Sequence, residues 1–361
     1  MIHWILYGGQ STGSSRIHGY RIHEYLRNAN YHSNILVSPP FGLVAADLPW
    51  RNSQNLWKKG FFSEKDTVIF ETVRGHRAIM LAEQLHNQGV RVVFVDCDLH
   101  HDTTIINYCD EVICSSAYLA NIYSQRHRRP IKFIPDAVEF IISQNELDRR
   151  TRIAWKGLQI AWIGNRGHWD TLSNLRTLLK EKEFSDFHLL TVSNHRMADI
   201  PWTLTTTKRV LQTCDAIVIP TESTPEAWAK SNNRVTQAMA LGAPVLAGHI
   251  PAYEEIINPG QSGFLCDTLE DWANGLRALR DPSLRDRIAH YGWELAKSNY
   301  LLPLIGAQWI KVVNMRSYIE VNQPKLPISS QVESMKTYMQ DLFLDNPITK
   351  KAYHLLRTFF H

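Results

Sequence analysis

Apolar runs bounded by turn residues alternate with amphipathic stretches along nearly the whole chain. A parallel sheet flanked by helices fits that pattern, and few other arrangements do. In the first half the strand candidates are His3 to Tyr7, Ser33 to Val37, Thr67 to Glu71, Val90 to Asp96, Glu111 to Cys114 and Lys132 to Ile134, with helices at Arg16 to Asn28, His76 to Gln88 and Ser116 to Gln125 between them. The second half repeats the alternation, with strands at Leu158 to Ile163, Phe187 to Val192, Ala216 to Ile219, Pro244 to Ala247 and Gly263 to Leu265. Two similar doubly wound units are expected. The polar, Arg-rich stretch from Asn145 to Gly157 has no apolar period and reads as the linker. This gives a first domain over 1–150, a second over 151–302 and a helical tail over 303–361. The tail includes helices at Leu304 to Ile319 and Ser330 to Leu344.

Bulk numbers agree. The 361 residues suffice for two domains with cores of their own, and 44% hydrophobic with 20% charged residues is a globular composition. No apolar run is long enough to span a bilayer, and MIHWILYGG lacks the basic start of a signal peptide, so a cytoplasmic protein is expected. The five cysteines are dispersed without a C-x-x-C pair, which points to reduced thiols rather than zinc or disulfides. A net charge of +4 is too mild to imply nucleic acid. Local mixtures of cations and apolar residues at Trp57 to Phe62, Arg126 to Lys132 and the C-terminal KKAYHLLRTFFH suit an anionic membrane surface at the inner face, as well as ordinary solvated helix ends and loops.

Chemistry concentrates between Lys230 and Asp267. Ser231, Asn232 and Asn233 are N-cap types, and Val235, Ala238, Met239 and Leu241 follow at helical spacing before Gly242 and Pro244 stop the helix. A helix start near Asn232 presents N–H groups and a positive dipole end, with Lys230 and Arg234 within one turn. That combination suits a diphosphate.

The run A-x-G-x-P-V-L-A, then P-A-Y-E-E-I-I, then G-x-x-G-F-L resembles the C-terminal half of the GT-B glycosyltransferases, especially the large retaining family 4 group (glycosyl transferases group 1). YGGQSTGSSRIHGYRIHEYL is similar to that family's first strand, glycine loop and helix. CDEVICSSAYLANIYSQRHRRPIKFIPDAVE resembles the close of its N-terminal domain, IAWIGNRGHWDTLSNLRTLL the opening of its second, and LQTCDAIVIPTES the strand before its donor site. The chain departs from the family at one point. Aligned on QAMALGAPV, Ala229 and Gln237 stand where the family carries a Glu-x7-Glu pair facing the donor sugar and the ribose. Glu222 or Glu226 offers a carboxylate slightly upstream.

Ligands of open parallel sheets sit beyond the carboxyl ends of strands. Gly8, Gly9 and Gly13 with Ser14 and Arg16 form such a loop, able to meet a phosphate or an acceptor, and GGQSTG does not supply the dinucleotide-binding G-x-G-x-x-G. Asp96-Cys97-Asp98 is a D-x-D triplet. Such triplets hold a metal in GT-A enzymes, but strand-end carboxylates also cap helices and the resemblance is to the metal-independent class, so no metal is expected. Asp98 and His100 are the candidates facing donor sugar or acceptor. The resemblance places Gly164 and Arg166 near the diphosphate and Trp202 near the base, where an indole either stacks or fills core. Together these imply a GT-B fold of two Rossmann-like domains facing across a cleft, and a hexosyltransferase-type enzyme with a nucleotide sugar as co-substrate and no cofactor. A glycan such as a cell-surface polysaccharide, a glycolipid or a protein would be the acceptor. A silent GT-B subunit that binds nucleotide sugar or a partner enzyme is the rival, favoured by the missing glutamates. A sugar-nucleotide epimerase of the same fold is a lesser one.

Overall fold

The computed structural model describes residues 1–40, 43–49, 53–148 and 157–314. The expected helix at Ser330 to Leu344, the C-terminal basic segment, the end of the helix from Leu304 and part of the proposed linker lie outside these. The chain divides into two units, one of Met1–Ile134 with the chain from Gly306, the other of Pro135–Ile305.

The first unit holds six parallel strands, β1 (Ile2–Leu6), β2 (Ser33–Val37), β3 (Thr67–Glu71), β4 (Arg91–Asp96), β5 (Glu111–Cys114) and β6 (Lys132–Phe133), in the order β2-β1-β3-β4-β5-β6. Strands buried on both faces read as continuous apolar runs, and β3 and β4 are buried at every residue. The polar exceptions stand at the strand ends, Thr67 and Arg91 first and Glu71 and Asp96 last. Glu71 and Asp96 are carboxylates with no exposed surface at the carboxyl edge of the sheet.

The second unit holds β7 (Leu158–Ile163), β8 (Phe187–Ser193), β9 (Ile200–Pro201), β10 (Ala216–Ile219), β11 (Val245–Gly248) and β12 (Phe264–Cys266), in the order β12-β11-β10-β7-β8-β9. Alternation decides its two cores. Ile160 and Trp162 join Val218 and Leu246 on one face, while Ala161 joins Ile217, Val235 and Trp293 on the other. Counted within each unit, the strand orders differ. The second follows the dinucleotide-fold order 3-2-1-4-5-6 and the first the flavodoxin-like 2-1-3-4-5 with a sixth strand added, so the two units are less alike than their sequences imply. The order reverses between β1 and β3 in one sheet and between β7 and β10 in the other. These are the two places where the fold opens a crevice.

The segment after Ile134 packs with the second unit, not the first. Val138, Ile142 and Leu147 belong to its core, the Val138 N–H donates to the Tyr300 carbonyl at 2.9 Å, and the Trp293 indole donates to the Ile142 carbonyl at 2.8 Å. From Gly306 onward the helix Leu302–Asn314 packs with the first unit, where Trp309 lies 5.7 Å from Trp4 and Asn314 donates to the Tyr31 hydroxyl at 2.9 Å.

Histidines respond to pH oppositely in the two units. Burial lowers His3 and His23, and burial followed by Arg126 and Arg129 pushes His127 down to about 4. In the second unit donation to the Asp267 carboxylate raises His249 and donation to the Asp148 carboxylate raises His290. A lowered histidine means the unfolded chain binds more protons below its ordinary value of 6.5, so that stability is present above 6.5 and lost as pH falls. A raised one contributes below 6.5, and that contribution is lost as pH rises through its folded value. Histidine C2–H titration by NMR is expected to place His127 near 4 with His249 and His290 above 6.5. A His127 midpoint near 6.5 would contradict the burial described.

Candidate active site

At the β7/β10 reversal the second unit contains a cavity of about 160 Å³. The loop after β7 contributes His168 and Thr171, the loop after β10 contributes Thr221, Glu222 and Thr224, and the chain leading into the next helix contributes Glu226, Lys230 and Arg234. Its size suits a phosphate-sized group rather than a whole ligand, since small-molecule pockets typically span about 300–1,000 Å³. Thr224 starts the short helix Pro225–Trp228 by accepting from the Ala227 N–H at 3.3 Å. Gly248, ending β11, lies so close to Thr221 that any Cβ there would strike its hydroxyl. A roomier groove of about 590 Å³, beside Arg27, Tyr31 and Asn34, sits at the amino end of β2, away from the strand ends where this fold places ligands.

The expected helix runs Asn233–Ala240, with the Asn232 carbonyl accepting from the Val235 and Thr236 N–H groups. Its cap differs from expectation. No side chain caps it: Ser231 Oγ donates to Asp136 Oδ2 at 2.6 Å and takes only a long 3.5 Å bond from the Asn233 N–H, while buried Asn232 donates to the Tyr300 hydroxyl at 3.0 Å. Polar residues chosen for capping instead tie the helix start to its surroundings, and the dipole end remains for an anion.

Gln237, at the position where the resemblance implies a ribose contact, has a structural task. Its Oε1 accepts from the Glu139 and Phe140 N–H groups at 2.6 and 3.2 Å, and its Nε2 donates to the Phe140 carbonyl at 2.8 Å. An amide matches this backbone because it both accepts and donates, and a carboxylate only accepts. Gln237→Glu is therefore expected to set an oxygen against the Phe140 carbonyl and cost about 1–3 kcal/mol in urea unfolding. Wild-type stability in that variant would refute the clamp.

The loop after β7 is built on Trp169, which is stacked on His195 at 4.1 Å, covered by Arg176 at 4.1 Å, and met edge-on by Trp162 at 5.8 Å. Gly164 is required by close approach, since a Cβ would strike the Trp162 ring. Arg166 is exposed, and its N–H donates to Asn194 Oδ1 at 2.7 Å. Arg166 does not line the cavity, whereas His168, two residues on, does. Trp202 packs, partly buried, against the core that contains Val235.

In the first unit the loop after β1 is fixed by Glu71. The carboxylate accepts from the Tyr7 N–H at 3.0 Å and from Ser15 Oγ at 2.6 Å, and Ser15 Oγ accepts from the Gly8 N–H at 2.8 Å. A Cβ on Gly8 would strike Thr12, one on Gly9 would come within 3.2 Å of the Pro39 carbonyl, and Gly13 faces open space. Ser14 precedes a π-helical turn at Ser15–Tyr20 and caps nothing with its side chain. Arg16 is buried and folds back on the loop, donating to the Gln10 carbonyl at 3.2 Å. Thr72 has φ of 60°, a left-handed conformation rare for a β-branched residue, between Glu71 and Arg74.

Asp96 forms a two-point ion pair with Arg74 at 2.8 and 2.9 Å and also accepts from the Tyr123 hydroxyl at 2.9 Å and the Cys97 N–H at 2.9 Å. The first carboxylate of the D-x-D triplet is thus a structural anchor. Asp98 and His100 follow in a half-buried loop at the carboxyl edge. Sequence reasoning overlooked Glu71, Arg74, Tyr123 and His168. A lone acid ending an apolar strand, the pattern noticed at Asp96, marks Glu71 equally well.

Comparison with known proteins agrees with this architecture. Residues 166–281 match the family model for glycosyl transferases group 1. Among solved structures, Anabaena HepE in complex with UDP and glucose is similar at a TM-score of 0.66 and 13% identity over 87% of this chain and 99% of that one. A glycosyltransferase from Rickettsia africae ESF-5 is similar at 0.62 and 13% over 86% and 97%. Pneumococcal O-GlcNAc transferase GtfA, in complex with UDP and GlcNAc, is similar at 0.54 and 14%, and this chain spans 57% of its length. The sequence matches none of the curated proteins. The chain has the GT-B fold, and its second unit carries, over residues 166–281, the match to the group 1 glycosyl transferases.

Proposed function

We propose that this chain transfers a sugar from a nucleotide-sugar donor to a glycan, lipid-linked or protein acceptor, with retention at the anomeric carbon and without a metal. The cavity at the β7/β10 reversal carries the reading: Lys230 and Arg234 line it beside the uncapped start of Asn233–Ala240. When the bond from the anomeric carbon to the diphosphate oxygen breaks, negative charge grows on the leaving group. Fixed cations and N–H dipoles stabilise such charge best where no solvent must reorganise. The acceptor proton passes to the leaving diphosphate, so the chain itself needs no strong base. Glu222 and Glu226, lining the same cavity, offer carboxylates in place of the two the family motif would supply. An exposed Phe61 beside exposed Lys58 and Lys59 is compatible with a lipid-linked acceptor at a membrane surface.

A silent nucleotide-sugar-binding subunit is the second reading, favoured by Ala229, which is fully buried, and by the structural use of Gln237. Thermal-shift measurements with UDP, GDP, ADP and their sugars, followed by donor turnover, separate the two. A selective rise in melting temperature with turnover supports the enzyme. A rise without turnover supports a silent subunit that binds nucleotide sugar, and no rise at millimolar ligand rejects the enzyme in favour of a silent scaffold for a partner enzyme. UDP-glucose comes first in the panel, because HepE and GtfA were solved with UDP.

A further inference from the structure

The loop carrying Asp98 and His100 leaves β4 without regular structure of its own, yet its backbone is gripped at three points by one helix. That helix, Ala117–His127, brings in Tyr123 and Arg126. The Tyr123 hydroxyl lies 2.9 Å from Asp96 Oδ2 and 3.0 Å from the Asp98 carbonyl, and it accepts from the His100 N–H at 3.2 Å. One proton serves two acceptors in alternation, and the oxygen's lone pair holds the third group throughout. Arg126 Nη1 donates to the His100 carbonyl at 2.7 Å, and its guanidinium lies 5.6 Å from the Tyr123 ring centroid. Asp96 is itself immobilised by Arg74, so rigidity passes from the sheet through Asp96 and Tyr123 to the loop. These bonds act on the backbone of Asp98 and His100, and so they set where the loop stands whichever side chains it carries.

We propose that the Asp98–His100 loop serves the acceptor and that Tyr123 is its positioning residue, its hydroxyl fixing the register of the loop; this rests on the function proposed above. Burial and the Asp96 charge hold the phenol well above its ordinary pKa, so it keeps its proton at any working pH.

Tyr123→Phe removes the hydroxyl alone and leaves Asp96 with Arg74 and the Cys97 N–H. In the full chain three quantities are measured: amide exchange at His100, the melting shift with UDP-glucose, and the partition of UDP-glucose between hydrolysis and transfer to octyl β-glucoside. Exchange at His100 is expected to quicken at least about tenfold, with an unchanged melting shift. Transfer is expected to fall about tenfold or more while hydrolysis stays within about twofold, because a small misplacement weakens only the step that needs the loop. A merely structural defect lowers transfer and hydrolysis together, and that outcome overturns the proposal, as does unchanged partition or unchanged His100 exchange. Should Tyr123→Phe fail to fold, Arg126→Ala, which frees the His100 carbonyl from the exposed side of the same grip and leaves the His100 N–H on Tyr123, is expected to lower transfer about tenfold with hydrolysis within about twofold, and unchanged partition there overturns the proposal. Failure of the wild type to bind or turn over any donor in the panel rejects the proposed function, and this role with it.

Discussion

Arg74→Ala is expected to destabilise the first unit by about 3–5 kcal/mol, because it strands a carboxylate that has no exposed surface. Asp96 would keep the Tyr123 hydroxyl, the Cys97 N–H and a long bond from the Asp98 N–H. Neutral donors do not replace a two-point guanidinium. The loss is a large share of the roughly 5–15 kcal/mol that stabilises an ordinary domain, so the variant should begin to unfold in urea well before wild type. Replacing both partners with apolar residues, as in Arg74→Met with Asp96→Leu, is expected to cost much less, since neither charge is then left alone. Equal losses in the single and double variants would show that packing of Arg74 on Phe94, 5.6 Å from its ring centroid, outweighs the ion pair.

Lys230→Ala with Arg234→Ala is expected to weaken nucleoside-diphosphate binding by at least about a hundredfold and abolish the melting shift. Each cation is worth about 1.5–3 kcal/mol when hydrogen-bonded to an anion, and both line the one cavity. Both are only half-buried, so the melting temperature without ligand should hardly move. The nucleoside without phosphate should bind wild type and variant alike. Calorimetric titration checks this. A diphosphate affinity equal to wild type would move the anion site away from this helix start.

The fold was largely legible, and particular residues show why. Runs such as VIF in β3 and VVFV in β4 are apolar because both faces of the sheet are covered, so their limits fell within a residue or so of those expected. Strand β9 went unseen because Ile200–Pro201 is two residues long and ends in proline, with no period to detect. The break after Ile134 was harder to read than the Arg-rich stretch beyond it, because Val138 and Ile142 reveal their allegiance only through the core they join. At the candidate site, local signals could bring together residues that are close in sequence. Lys230, Arg234 and the start of the helix are such a case, and the two cations line one cavity. They failed where partners are distant. Gln237 meets Phe140 across 97 positions, and Asp96 meets Arg74 across 22 and Tyr123 across 27. Thr72 could not be anticipated at all, since nothing in a threonine favours positive φ and only its surroundings impose it.

The clamp between Gln237 and the Phe140 backbone also bears on how such a chain can change over generations. A one-step exchange of Gln237 for the glutamate of the related motif would arrive first as a folding defect, whatever it offered a ligand. Selection would therefore see the harm before the gain unless the stretch around Glu139 and Phe140 had already been remodelled. The amide would thus act as a ratchet, and a carboxylate at the cavity is more readily supplied by Glu222 or Glu226, which already line it, than by exchange at 237.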